Sequence, residues 1–234
     1  MSLNSLLRQA VKLYPDVRPL LSDKARFYMY QTTAYKTYDY MLKQIIGLVR
    51  GVYSGNVGGQ FIDTMASLIS GQLTQAYEQA WKDEGDGSEF PEYLNAPLED
   101  EILKQYDFVD GFYRAIVDAR IDKTSIDPLL VRAELWANAY STAYENATSI
   151  ITAETGGKEE WVLGATEEHC PECADLNGIV AFAKEWDTLN VRPKNPPNNK
   201  LTCGGWRCDC ERRPTDKRRS PNAYGRIEEI MLGR

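Results

Sequence analysis

All five cysteines of this 234-residue chain fall between Cys170 and Cys210, in the runs HCPEC and CGGWRCDC. Cys170-Pro-Glu-Cys173 has the C-x2-C spacing with which one tight turn offers two thiolates to a single tetrahedral ion. The second group, Cys203, Cys208 and Cys210, follows after 29 intervening residues. In an extended strand Cys208 and Cys210 share a face, because side chains two apart point the same way, and Cys203 stands before the flexible pair Gly204-Gly205. Four sulfurs of the five complete a closed structural zinc site with bonds of roughly 2.3 Å. Cys170 and Cys173 are its first members and Cys203 its third, with Cys208 ranked ahead of Cys210 as the fourth. His169, the single histidine, adjoins Cys170 and is expected to point away from the same ion.

Other cysteine chemistries fit less well. Disulfides need an oxidising compartment, and an odd number of cysteines leaves one over. A thioredoxin-like redox pair opens a helix beside a parallel sheet, whereas CPEC is expected after a polar strand and before a turn. A nucleophilic cysteine needs a base, and His169 is the only imidazole. The chain carries no phosphate-binding loop, paired-carboxylate signature or catalytic triad motif. The expectation is therefore a protein that is not an enzyme and takes no small-molecule substrate.

The elements that must present these sulfurs follow from hydrophobic period and punctuation. Apolar residues recur at three and four in five stretches: about 2–13, 22–53, 57–81, 98–119 and 127–155. Each ends at Pro15, the Ser-Gly-Asn run at 54–56, the DEGDGSEFP run, the polar stretch 122–125 or Gly156-Gly157. The second and third stretches, joined by a short turn, suggest an antiparallel helical hairpin. Asp127 followed by Pro128 is a strong helix start. The 14 tyrosines fall at helical spacing and are read as core and rim residues without chemistry. From Lys158 the texture becomes strand-like, with short runs at 160–163, 179–182 and 204–213, and Asn177-Gly178 reads as a hairpin turn. The expected fold class is mainly α: a helical body over 1–157, a small β-rich cysteine module over 158–215 and a tail or short helix over 216–234.

Charge separates along the chain. The formal net charge is −7, yet residues 207–234 carry +3 and the preceding 206 therefore −10. This excludes a general nucleic-acid coat, while Arg207, Arg212 and Arg213 beside Trp206 leave a local contact with DNA as an alternative function. The other reading of the basic run is a solvated tail with ion pairs. No window approaches the roughly 20 apolar residues of a membrane helix, and the first residues do not read as a secretory signal, so a reducing cytoplasm is the expected place of synthesis and zinc is favoured over disulfides.

The runs EWVLGATEEHCPECADLNGIV and PPNNKLTCGGWRCDCERRP resemble the C-terminal signature of the Mu F-like minor head proteins of tailed bacteriophages. The matching positions are Trp161, Glu167 and Glu168, Cys170 and Cys173, Leu176 and Gly178, Pro193, Pro196 and Pro197, Cys203, and then Cys208 and Cys210. The resemblance covers about 55 residues. A frequent His-Pro of the family is replaced here by Cys203-Gly-Gly, and an arginine between the last cysteines by Asp209. What the resemblance implies is a minor virion component acting in head morphogenesis near the portal, with portal or capsid proteins as partners and a part in DNA packaging or ejection.

Overall fold

The computed structural model describes residues 23–165, 168–194, 198–205 and 209–233, with side chains from Tyr38 onward. The helix expected at 2–13 lies outside the described residues. The chain is mainly helical, with a three-stranded sheet in its C-terminal region. In chain order the elements are α1 (Asp23–Tyr53), α2 (Gln60–Glu84), a 3-10 turn (Glu92–Leu94), α3 (Asn95–Tyr106), α4 (Val109–Ile121), α5 (Asp127–Glu154), β1 (Lys158–Val162), α6 (Pro171–Leu176), β2 (Val180–Phe182), α7 (Ala183–Thr188), β3 (Glu211–Pro214) and α8 (Ala223–Met231). Among the described residues, no helix is long and apolar enough to cross a membrane.

The chain forms two compact units. One takes in the chain up to Ala76 together with Ala96–Ser141, and the other Tyr77–Asn95 with Thr142–Arg234. The second unit includes the end of α5, whose Ser149 and Glu145 bond to Arg212 and Lys194.

In the first unit the periodic stripes become the core. Met41, Ile45, Val49 and Val52 of α1 are buried, as are Phe61, Met65, Ile69 and Leu73 of α2. Phe112 of α4 joins them, its ring 6.0 Å from Phe61 and 4.7 Å from Trp136 of α5. Gly51 is required at the end of α1: a Cβ there would lie 2.5 Å from Val57 Cγ2, and the Gly51 carbonyl accepts the backbone N–H groups of Asn56 and Val57. The single helix expected over 98–119 is divided in two at Asp107 and Phe108. No proline or glycine marks that break. Tertiary contacts fix the two halves separately: the Tyr106 hydroxyl donates to the Ala66 carbonyl at 3.1 Å, while Phe112 packs on Phe61 and Trp136. The start of α5 is organised by Ser125, whose hydroxyl accepts the Asp127 N–H and donates to the Asp127 carboxylate. The helix therefore begins at Asp127 itself, the residue expected as its N-cap.

In the second unit the sheet has the order β2-β1-β3 and is antiparallel throughout. Glu160 lies opposite Val180 on one side and Arg213 on the other, and Trp161 lies opposite Arg212. Alternation along β1 puts Glu159 and Trp161 on the buried face, and the Trp161 ring sits 5.7 Å from that of Trp186 in α7. Leu176, Ile179, Val191, Leu201 and Ile227 complete this core. The third strand is shorter than the expected 204–213, beginning only at Glu211.

Just past β1 the chain touches the segment leading into β3. A Cβ on Gly164 would lie 2.3 Å from both the backbone oxygen and the Cβ of Asp209. The obstacle is backbone, which cannot rotate away as a side-chain end can. Gly164→Ala should therefore destabilise this unit by about 1–3 kcal/mol or more through overpacking. A lowered urea midpoint, followed by tryptophan fluorescence, is the expected result; a wild-type midpoint would contradict it.

Candidate metal centre

The two ligand-bearing segments reach the centre by different routes. The first leaves β1, passes the His169 position and enters α6, with Cys170 in extended conformation as its N-cap and Pro171 at the first helical position, where a missing N–H costs no hydrogen bond. Cys173 is then the third residue of that helix. This corrects the expectation that CPEC precedes a turn: it opens a short helix. Asn177-Gly178 correspondingly does not close a two-residue hairpin. Gly178, at φ +76°, ends the helix, its N–H donates to the Trp161 carbonyl, and the Asn177 side-chain oxygen accepts the Leu163 N–H. The sheet beside the CxxC remains antiparallel, unlike the parallel sheet of the thioredoxin-like alternative.

The second segment arrives through turns at 198–205. Gly204 and Gly205, at φ +61° and +78°, adopt the left-handed conformation that glycine takes without strain. Their turns set Cys203 against the start of α6. The ligand atoms of Cys170, Cys173 and Cys203 lie within 4.8 Å of one another. Cys173 is buried and the other two are half-buried. A tetrahedral ion with bonds of roughly 2.3 Å holds its sulfurs roughly 3.8 Å apart, so these three need only a small contraction to share one.

The remaining sequence candidates divide. Cys210 is buried in the same cluster as Cys170, Cys173 and Cys203, and its Sγ lies 3.8 Å from His169 Nδ1. Cys208, ranked ahead of Cys210 by its spacing, lies outside the described residues, as do Trp206 and Arg207. Cys170, Cys173, Cys203 and Cys210 are not joined to one another by disulfides. The donor set is chemically apt for a soft or borderline divalent ion, since thiolates select zinc over the hard cations.

Sequence reading passed over two residues that hold the centre together. Glu172, inside the CPEC run, accepts the Thr202 backbone N–H on Oε2 at 3.0 Å and the Thr202 hydroxyl on Oε1 at 2.7 Å. Burial alone would raise the Glu172 carboxyl, but the bonds from Thr202, with a further one from Cys170, hold it below the ordinary carboxylate value. No local pattern signals this pairing, because the partners are 30 residues apart.

Beneath the sheet lies a second polar feature. Arg212 of β3 has its side chain 3% exposed and places Nε 3.1 Å from the fully buried Glu159 carboxylate of β1. Its Nη2 lies 3.0 Å from Asp187 of α7 and also bonds to the Ser149 hydroxyl of α5, while Nη1 donates to the Val191 carbonyl. Burial pushes the Glu159 carboxyl up, and Arg212 opposes it. Nearby, Lys194 pairs with Glu145 of α5 at 2.8 Å. Arg212 is thus a core residue and does not present itself to DNA as the alternative function requires. Among the described residues of the basic run, Arg213 pairs with Glu211, Lys217 with Glu160 and Arg219 with Glu185.

Comparison with protein-family models, with curated proteins and with solved structures finds no match. The reading of the centre therefore rests on its donors and their geometry.

Proposed function

We propose that this chain is a minor structural protein of a tailed-phage head, acting in head morphogenesis near the portal, and that its cysteine region is stapled by a structural zinc ion. Cys170, Cys173 and Cys203 supply three sulfurs and the Cys208/Cys210 pair supplies the fourth. The observation that carries the reading is the convergence of Cys170, Cys173 and Cys203 from segments separated by 29 intervening residues, in the order of the Mu F-like signature. Bound zinc would cross-link α6 to the turn at Cys203, and the ring of sulfurs leaves no open position for substrate, which suits a structural site rather than a catalytic one. The proposal includes assembly in the host cytoplasm, residence in the virion, and partners among portal and capsid proteins.

The DNA-binding alternative loses ground with the burial of Arg212 and the local pairing of Arg213, Lys217 and Arg219. The test is co-expression of the tagged chain with the portal and major capsid proteins of its own phage, followed by gradient sedimentation. Co-migration with portal or procapsid particles is the expected outcome. Migration apart from both, with a salt-dependent shift of labelled duplex DNA, would overturn the proposal in favour of the alternative.

A further inference from the structure

A metal site built from sulfurs so distant in sequence requires that they be brought to one point. A metal that must itself close the loop between Cys173 and Cys203 works against the entropy of the intervening chain, which for some thirty residues is a few kcal/mol. The structure has a second tie across the same loop, made without any metal. Glu172 sits between the two cysteines of the C-x2-C, and Thr202 immediately precedes Cys203. The carboxylate takes both donors of Thr202, the backbone N–H at 3.0 Å and the hydroxyl at 2.7 Å. Two bonds to one planar carboxylate fix distance and orientation together, as a single bond does not. Because Glu172 and Thr202 each adjoin a ligand, fixing that pair fixes the approach of Cys203 to Cys170 and Cys173.

We propose that Glu172 is a positioning residue of the metal centre: through its two bonds to Thr202 it holds Cys203 in place against Cys170 and Cys173 as the site closes and so sets metal affinity, without itself ligating the ion. This inference rests on the reading of the cysteines as a metal site. It predicts that the geometry of the acceptor, rather than its negative charge, is what the centre uses. A glutamine at position 172 keeps an oxygen for the Thr202 N–H and offers an amide N–H to the Thr202 hydroxyl, which can accept as well as donate. An alanine keeps neither.

The experiment is zinc titration of the full chain against a chromophoric chelator, for the wild type, Glu172→Ala, Glu172→Gln and Thr202→Val, with urea unfolding of each zinc-free protein. The expected result is a zinc Kd about 10–100-fold weaker for Glu172→Ala, the range for loss of a residue that orients a metal ligand. Glu172→Gln should stay within about threefold of the wild type, and Thr202→Val, which loses only the hydroxyl bond, should fall between. Glu172→Ala with wild-type zinc affinity would overturn the inference while leaving the metal reading intact. Equal weakening in Glu172→Ala and Glu172→Gln would also overturn it, because charge would then be the operative property. Should Glu172→Ala fail to fold, Thr202→Val decides: wild-type affinity there sinks the proposal. A wild-type chain that takes up no zinc would remove the metal reading itself, and the inference with it.

Discussion

Chelation of zinc from the full chain should unfold the cysteine region and leave the long helices largely intact. The apparent free energy of a structural zinc site is about 10–16 kcal/mol at neutral pH, while whole domains are stable by only about 5–15 kcal/mol. Removal of the ion is therefore enough to eliminate the stability of the element it staples. The sheet in question has strands of five, three and four residues, and its turns at 198–205 carry few apolar side chains to hold them. The helices α1, α2, α4 and α5 instead bury continuous apolar stripes and do not depend on the sulfurs. Trp161 and Trp186, fully buried against each other in the sheet's core, are the natural reporters. Their emission should shift to the red on chelation, with only a minor loss of helical ellipticity, and restored zinc should reverse the change. The paired substitution Cys170→Ser with Cys173→Ser should reproduce the chelated state. Unchanged zinc content and thermal stability in that variant would show that no structural ion is held there.

The second large effect is expected at Arg212. Truncation to alanine leaves the Glu159 carboxylate fully buried without its cation, and loss of one partner of a buried pair costs about 3–5 kcal/mol. Lysine should recover only part of this, since a single ammonium cannot reach Glu159, Asp187, Ser149 and the Val191 carbonyl together as the planar guanidinium does. Replacing both members, Arg212→Met with Glu159→Leu, should recover most of the loss, because the charge and its desolvation penalty go together. The pH dependence follows from the raised Glu159 carboxyl. A group whose folded pKa is raised favours the folded state below its unfolded pKa, and that contribution is lost as pH rises through the folded value. The ordinary value is 4.5, so Arg212→Ala should be less destabilised near pH 5 than near pH 8. Urea midpoints at the two pH values check both points. A loss below about 1 kcal/mol, or a penalty that grows on acidification, would contradict the account.

The effect at Arg212 also shows what a linear reading misses. From sequence, Arg212 belongs to a basic run beside a tryptophan, which is the pattern of a nucleic-acid contact. In the fold it is a core residue, because its strand pairs with β1 and sets it opposite Trp161. The carboxylate it meets is 53 residues earlier in the chain. The rule that charged residues lie outside has its exception where two opposite charges are buried together, and nothing local announces that pairing.

Much of the helical architecture is legible because helix formation is local. The apolar stripe and terminal punctuation predict a helix over 22–53, and the helix found is Asp23–Tyr53. The run expected at 57–81 is found as Gln60–Glu84, and Gly156 at φ +71° closes α5 as the paired glycines imply. The break at Asp107 and Phe108 was not legible, since the stripe continues unbroken across it and only the separate anchoring of Tyr106 and Phe112 decides it. The cysteine inventory was likewise plain from spacing alone, and C-x2-C by its own geometry brings Cys170 and Cys173 together. That Cys203 joins them, that CPEC opens a helix, and that Glu172 clasps Thr202 were settled only by the tertiary structure. The physical reason is the same in each case. Periodicity and capping are set by neighbours within about four residues, whereas the metal centre and the buried ion pairs depend on segments 25 to 63 residues apart that meet only in the tertiary structure.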